Sequence, residues 1–307
     1  MKDLPGPADT LRAALIERVG GVAATRFTAP ARAGIATTLD GVRVEWLELD
    51  TGSQIPVRAL LTGPLGEWHH QPAVLYCHAH GNRYDIGASE LAVGRPALLT
   101  PPYAKALADR GIVALCIDLP CFGDRAHETE QEAAKRQLWY GHTLFGTMLN
   151  DLAGALDLLS QFDGVDSTRI GAFGISMGAT LAFWLAALDP RLKAVAHVCC
   201  FADLETLVAT GAHDLHGIYM IVPDLLDVAR TGQIAGLVAP RPQLACMGLT
   251  DPLTPPDAVE RAVADVRSAY DVYGAATNLH IHISPDTGHS ETPAMRTAVL
   301  EFFDQHL

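Results

Sequence analysis

Basic residues are scarce in this 307-residue chain: 22 Lys and Arg stand against 35 Asp and Glu, a formal charge of −13. Nucleic acids and anionic membranes reward clustered Lys and Arg, so neither is expected as a partner. Long apolar runs are missing too. None reaches the roughly 18 residues of a membrane-spanning helix, although 49% hydrophobic residues and a mean hydropathy of +0.16 suffice for a large core. The opening Met1-Lys2-Asp3-Leu4-Pro5-Gly6-Pro7 has no apolar segment and no small-residue cleavage site, so a cytoplasmic location is expected. Six cysteines, at 77, 116, 121, 199, 200 and 246, form no C-x-x-C pair and no disulfide framework. Most fall in or at the ends of strand-like runs and read as small buried hydrophobes, the Cys199-Cys200 pair included. His78-Ala79-His80 has no companion carboxylate motif, so structural roles are expected for both histidines, with no metal and no organic cofactor. Internal repeats and linker-like stretches are absent as well. One domain over 40–307, preceded by a helical extension over 1–39, is the economical division.

What is present is an alternation of apolar runs and helical periods. Leu11, Ala14, Leu15 and Val19 recur at helical spacing before Gly20-Gly21 and predict a helix that packs on the body or covers an edge. Val42, Val44 and Trp46 alternate with Arg43 and Glu45, and a second run spans Ile55 to Leu61; together they predict an antiparallel hairpin. From there the runs become continuously apolar, as in strands buried on both faces: Ala73–Cys77, Ile112–Ile117, Ile170–Phe173, Ala194–Val198, Leu244–Met247 and His280–Ile283. Helical stretches separate them, including Phe145 to Leu159, Val259 to Tyr270, and Met295 to Phe302 after Thr292-Pro293. Strand–helix alternation of this kind implies an α/β fold with a mostly parallel sheet and helices on both faces.

Within it, Arg169 to Phe173 leads into Gly174-Ile175-Ser176-Met177-Gly178 and at once into an Ala- and Leu-rich helical run. A G-x-S-x-G sequence between strand and helix is a nucleophile elbow: the turn is tight, bulk is excluded two residues either side of the serine, and its Oγ is exposed at a helix N-terminus. A serine hydroxyl needs a base, and the base needs an orienting acid. Asp251 follows the run ending at Met247, and His289 follows the last strand in a Gly-marked loop; these are the expected acid and base, in the order Ser, acid, His. Asp203, after the strand ending at Cys199-Cys200, remains a competing acid. An oxyanion hole takes N–H groups from the residue after the nucleophile and from the loop after an earlier strand. Met177 supplies the first, and Asn82, with Gly81 second, the other. Two long connections, 121–140 and 201–240, stand where a cap or substrate pocket belongs. Trp139, Tyr140, Tyr219 and Met220 are its candidate walls, although such residues serve equally well in packing a cap onto a core. Arg83 is expected to pair with Asp85 or Glu90.

His80-Gly81-Asn82, Asp118 with Phe122-Gly123-Asp124-Arg125, the elbow at 174–178, Asp251 and His289 together resemble the α/β-hydrolase superfamily over about 40–307. Gly141 to Gly146, Asp151, Val165 to Ile170, Ala187 to Lys193 and Ala239 to Pro242 narrow the resemblance to the bacterial dienelactone-hydrolase-like and acetyl-xylan-esterase-like branch. The resemblance implies the α/β-hydrolase fold and a serine hydrolase that cleaves a small-molecule carboxylic ester through an acyl-enzyme. Serine at the elbow departs from the cysteine of dienelactone hydrolase itself. A lactone, thioester, C–C bond or peptide substrate remains open to the same three residues, as does a silent hydrolase-fold binding protein. A homodimer is compatible with the sequence.

Overall fold

The computed structural model describes residues 6–27, 31–32, 37–52 and 55–307. Among these a ten-stranded sheet forms the centre: β1 (Ala31–Arg32), β2 (Thr37–Leu39), β3 (Val42–Leu49), β4 (Val57–Gly63), β5 (Gln71–Cys77), β6 (Val113–Ile117), β7 (Val165–Ile175), β8 (Ala194–Val198), β9 (Gln243–Gly248) and β10 (Leu279–Ser284). Their spatial order is β1-β3-β4-β6-β5-β7-β8-β9-β10, with β2 also on β3. The run from β6 to β10 is parallel, and β1 to β4 join antiparallel. The expected hairpin is therefore β3 and β4, with Trp46 opposite Leu60. Of the 1–39 stretch, α1 (Pro7–Arg18) is helical, but β1 and β2 already belong to the sheet.

Two helix layers cover the sheet because its strands are apolar on both faces. Ala73, Leu75 and Cys77 of β5 share one core cluster with α5 (Leu144–Leu159), α6 (Met177–Leu188) and α9 (Pro256–Val272), whereas Val74 and Tyr76 share the other with α3 (Tyr103–Ala108) and α10 (Pro293–His306). Thr292 caps α10 by accepting from the Met295 N–H at 3.2 Å, and the capping sequence lies where the Thr-Pro pair predicts it. The N-terminal α1 packs on the first layer through buried Leu15, and Arg12 donates to the Ala187 and Leu237 carbonyls, both at 2.9 Å. It covers a helix layer rather than a sheet edge. No helix among the described residues is long and apolar enough to cross a membrane.

Two fully buried imidazoles shape the pH response. His78 accepts from the Leu119 N–H at 3.2 Å and donates to the Ala79 carbonyl at 3.0 Å; His197 lies 3.0 Å from the Gln243 amide nitrogen. Burial lowers both from the ordinary 6.5 to about 3. The unfolded chain therefore binds protons that the folded chain refuses. Stability is complete above about pH 6.5 and is expected to fall as the pH drops toward 3, by about 1.4 kcal/mol per pH unit for each histidine. Denaturant titrations at pH 7 and 5 measure this loss, and a His197→Asn variant should show about half the slope assigned to the pair.

Candidate active site

The elbow follows from close backbone approach. Ser176 sits at φ 57°, ψ −123°, a strained conformation for a residue with a Cβ. Its N–H donates to the Val198 carbonyl at 2.9 Å, which ties the turn to the neighbouring strand. A Cβ at Gly174 would lie 2.3 Å from the Gly178 carbonyl carbon, and one at Gly178 would lie 1.9 Å from the Cys77 carbonyl oxygen. Neither position admits a side chain. Helix α6 starts at Met177, whose N–H has no intrahelical acceptor and stands beside the serine.

Parallel strands deliver the partners to the same sheet edge. Asp251 lies in the loop after β9 and His289 in the loop after β10. His289 Nδ1–H donates to Asp251 Oδ2 at 2.6 Å, and Ser176 Oγ lies 2.9 Å from His289 Nε2. A carboxylate only accepts, so Nδ1 holds the proton and Nε2 is free to accept that of the serine. Asp251 is buried, and its other oxygen accepts from the Leu253 N–H at 2.9 Å. The competing Asp203 is engaged elsewhere. It caps α7 (Leu204–Thr210), accepting from the Thr206 N–H and Oγ1 at 3.0 and 2.8 Å, and lies 3.4 Å from Arg261 Nε.

The loop after β5 is held by buried charge. Arg95 bonds Glu90 and donates to the Ala79 and His80 carbonyls at 2.7 and 3.0 Å; Glu90 also accepts from Tyr76 and the Ala79 N–H. Arg83 pairs with Asp85 at 2.6 Å, while Glu90 belongs to Arg95. His80 donates from Nε2 to Glu130 at 2.6 Å and accepts the Asn82 N–H on Nδ1 at 3.1 Å. In this state Asn82 is therefore committed within its own turn. Asn82 lines a cleft with His80, Glu130 and His216 that adjoins the Ser176 cavity, and neither it nor Gly81 is on that cavity's wall. Both histidines of the His78-Ala79-His80 stretch make structural hydrogen bonds.

Sequence reasoning did not single out Glu130. It follows Thr129, whose capping box with Glu132 sets the start of α4 (Glu130–Trp139), and it accepts from His80, from Tyr84 Oη at 2.8 Å and from the Tyr219 N–H at 2.8 Å. Burial pushes its carboxyl up, but these donors, His80 foremost, outweigh burial and hold it below the usual carboxylate value. Its partners lie about 50 and 90 positions away, so only the Thr-x-x-Glu cap was locally readable.

Beside Ser176 is a cavity of about 50 Å³, walled by Phe145, Trp184, Leu207, Tyr219 and Met220 among others. Of the four candidate walls, Tyr219 and Met220 line this cavity and Trp139 and Tyr140 do not. Helix α4 turns Glu130, Ala133 and Ala134 inward at helical spacing, and Trp139, two residues past the half-buried Gln137, emerges on the opposite face, 89% exposed. Tyr140 follows it into solvent. His216, unplaced by sequence, lines the cavity and donates to the Leu253 carbonyl at 3.0 Å; burial lowers its pKa. Cys199 and Cys200 also line it, but burial pushes the Cys199 thiol up to about 12 and Cys200 well above the ordinary range. Neither supplies a thiolate near neutral pH.

A parallel sheet flanked by two helix layers, with a serine elbow and its Asp–His partners on the carboxyl edge, defines an α/β-hydrolase. The model of the dienelactone hydrolase family matches residues 102–226, and the chain belongs to the same family as the relative that follows. It is 36% identical over 264 residues, 86% of this chain and 88% of the relative, to the Bacillus subtilis (strain 168) protein named "Putative hydrolase YtaP". Among solved structures it is similar to acetyl xylan esterase 1 from Thermoanaerobacterium sp. JW/SL YS485, at a TM-score of 0.62 and 17% identity, covering 99% of this chain and 95% of the other. A glucuronoyl esterase from Solibacter usitatus aligns at a TM-score of 0.65 and 15% identity over 95% of this chain and 91% of its own.

Proposed function

We propose that this chain is a serine hydrolase of carboxylic esters working through an acyl-enzyme. The observation that carries the reading is the unbroken chain from Ser176 Oγ through His289 to buried Asp251, at 2.9 and 2.6 Å. His289 Nε2 takes the serine proton as Oγ attacks the ester carbonyl, and Asp251 offsets the imidazolium charge through Nδ1–H. The oxyanion forms beside the Met177 N–H, with the α6 N-terminus adding its partial positive charge. The turn after β5 is the place of the second donor: the Asn82 N–H would have to leave His80 Nδ1 to reach the substrate oxygen, with the Gly81 N–H the alternative. His289 then gives the proton to the leaving alcohol, and water, deprotonated by the same nitrogen, cleaves the acyl-enzyme.

The family membership and the esterase neighbours support ester over C–C chemistry. Purified protein is expected to hydrolyse simple acetates. If acetates were inert while a lactone or a thioester turned over, the same three residues would stand but the substrate class would change.

A further inference from the structure

A second, larger hollow of about 600 Å³ lies along the 201–240 segment, next to the active site. It shares Leu204, His216, Met220 and Leu225 with the cavity beside Ser176, so the two spaces adjoin across these side chains. Three of its lining residues, Val208, Ile221 and Leu226, are large aliphatics left 47%, 52% and 39% exposed. Its acidic groups, Asp214, Asp224 and Asp227, lie among them, and among the described residues no Lys or Arg lines it, although Arg18 Nη1 stands 3.8 Å from Asp224 Oδ2. We infer that this groove binds the alcohol portion of the ester, and that the alcohol it fits is apolar and carries no negative charge. This rests on the ester-hydrolase reading above.

Size divides the substrate. A water needs roughly 10–15 Å³ of such space, so the inner cavity admits only about four water-sized groups, a short acyl chain. The groove is an order of magnitude larger and takes the rest. Chemistry selects what that rest is. Sugar hydroxyls could reach Asp214, Asp224 or Asp227, but those laid against Val208, Ile221 and Leu226 would lose water there, and among the described residues the lining has no Trp, Tyr or Phe ring on which a sugar face could stack. An anionic alcohol would meet three carboxylates, of which Asp224 has Arg18 at 3.8 Å to offset it. An alkyl or alicyclic alcohol meets neither cost and removes exposed aliphatic surface from water.

Alkyl acetates at fixed acyl group test this, because the leaving alcohols have nearly equal reactivity and differ in the apolar surface offered to the groove. From methyl to hexyl acetate, kcat/KM is expected to rise at least about tenfold, and acetylated xylose to fall below hexyl acetate by a similar factor. Ile221→Asp and Leu226→Asp alter exposed side chains outside the catalytic residues. Each is expected to lower hexyl acetate turnover about tenfold while methyl acetate stays within about twofold. A flat alkyl series, equal loss on methyl and hexyl acetate, or a preference for the acetylated sugar would overturn the groove's role while leaving the ester-hydrolase reading intact. If all acetates were inert and Ser176 failed to react with a fluorophosphonate, the reading itself would fall, and the groove's role with it.

Discussion

Asp251→Asn is expected to lower kcat on p-nitrophenyl acetate by about 10⁴-fold with little change in KM. Asp251 holds two donors, the Leu253 N–H at 2.9 Å and His289 Nδ1–H at 2.6 Å. An asparagine keeps one carbonyl oxygen for Leu253 and turns its NH₂ toward Nδ1. That amide can only donate, so the imidazole proton moves to Nε2, where it faces Ser176 and can no longer accept. The geometry survives and the tautomer is wrong. The same exchange at Asp203 should leave kcat within a few-fold, since its carboxylate caps α7 and approaches Arg261; a loss of about 1 kcal/mol in stability is the expected effect there. Steady-state kinetics on both variants measures the contrast. Equal losses, or a greater loss at Asp203, would put the acid at the wrong position.

Much of this architecture was legible because its signals are local. Continuous apolar runs announced β5 to β9, glycine on both sides of Ser176 announced the elbow, and Asp251 and His289 follow their strands by a few residues. Position past a strand end is a linear property. What escaped the sequence depends on contacts made across the chain. Glu130 looked like one acid in a charged run, yet it joins the His80 loop to Tyr219 of the 201–240 segment. Trp139 and Tyr140 had the right composition for a pocket wall, but the inward face of α4 was set by Ala133, Ala134 and Glu130. Asn82 sits in the turn expected of an oxyanion loop, and its engagement with His80 Nδ1 is a detail of side-chain geometry that no spacing encodes.

The larger kinetic effect belongs to Ser176→Ala, for which kcat on p-nitrophenyl acetate should fall by about 10⁴- to 10⁶-fold. No other group can take over the attack: the cavity's thiols are held neutral by burial, and the neighbouring Thr180 hydroxyl is turned onto the Ser176 carbonyl at 3.4 Å. Alanine meets the same backbone strain at φ 57° that serine does, so the variant should melt within a few degrees of the parent. Lost activity therefore reads as lost chemistry rather than lost fold.

The most direct measurement is the mass of the intact protein after treatment with a fluorophosphonate. Attack by Ser176 Oγ forms an O–P bond, expels fluoride and passes the serine proton to His289. The folded parent should gain one phosphonyl group, located by peptide mapping at Ser176, and Ser176→Ala should gain none. An unlabelled serine in the folded parent, or a label retained by the variant, would contradict the assignment of Ser176 as nucleophile.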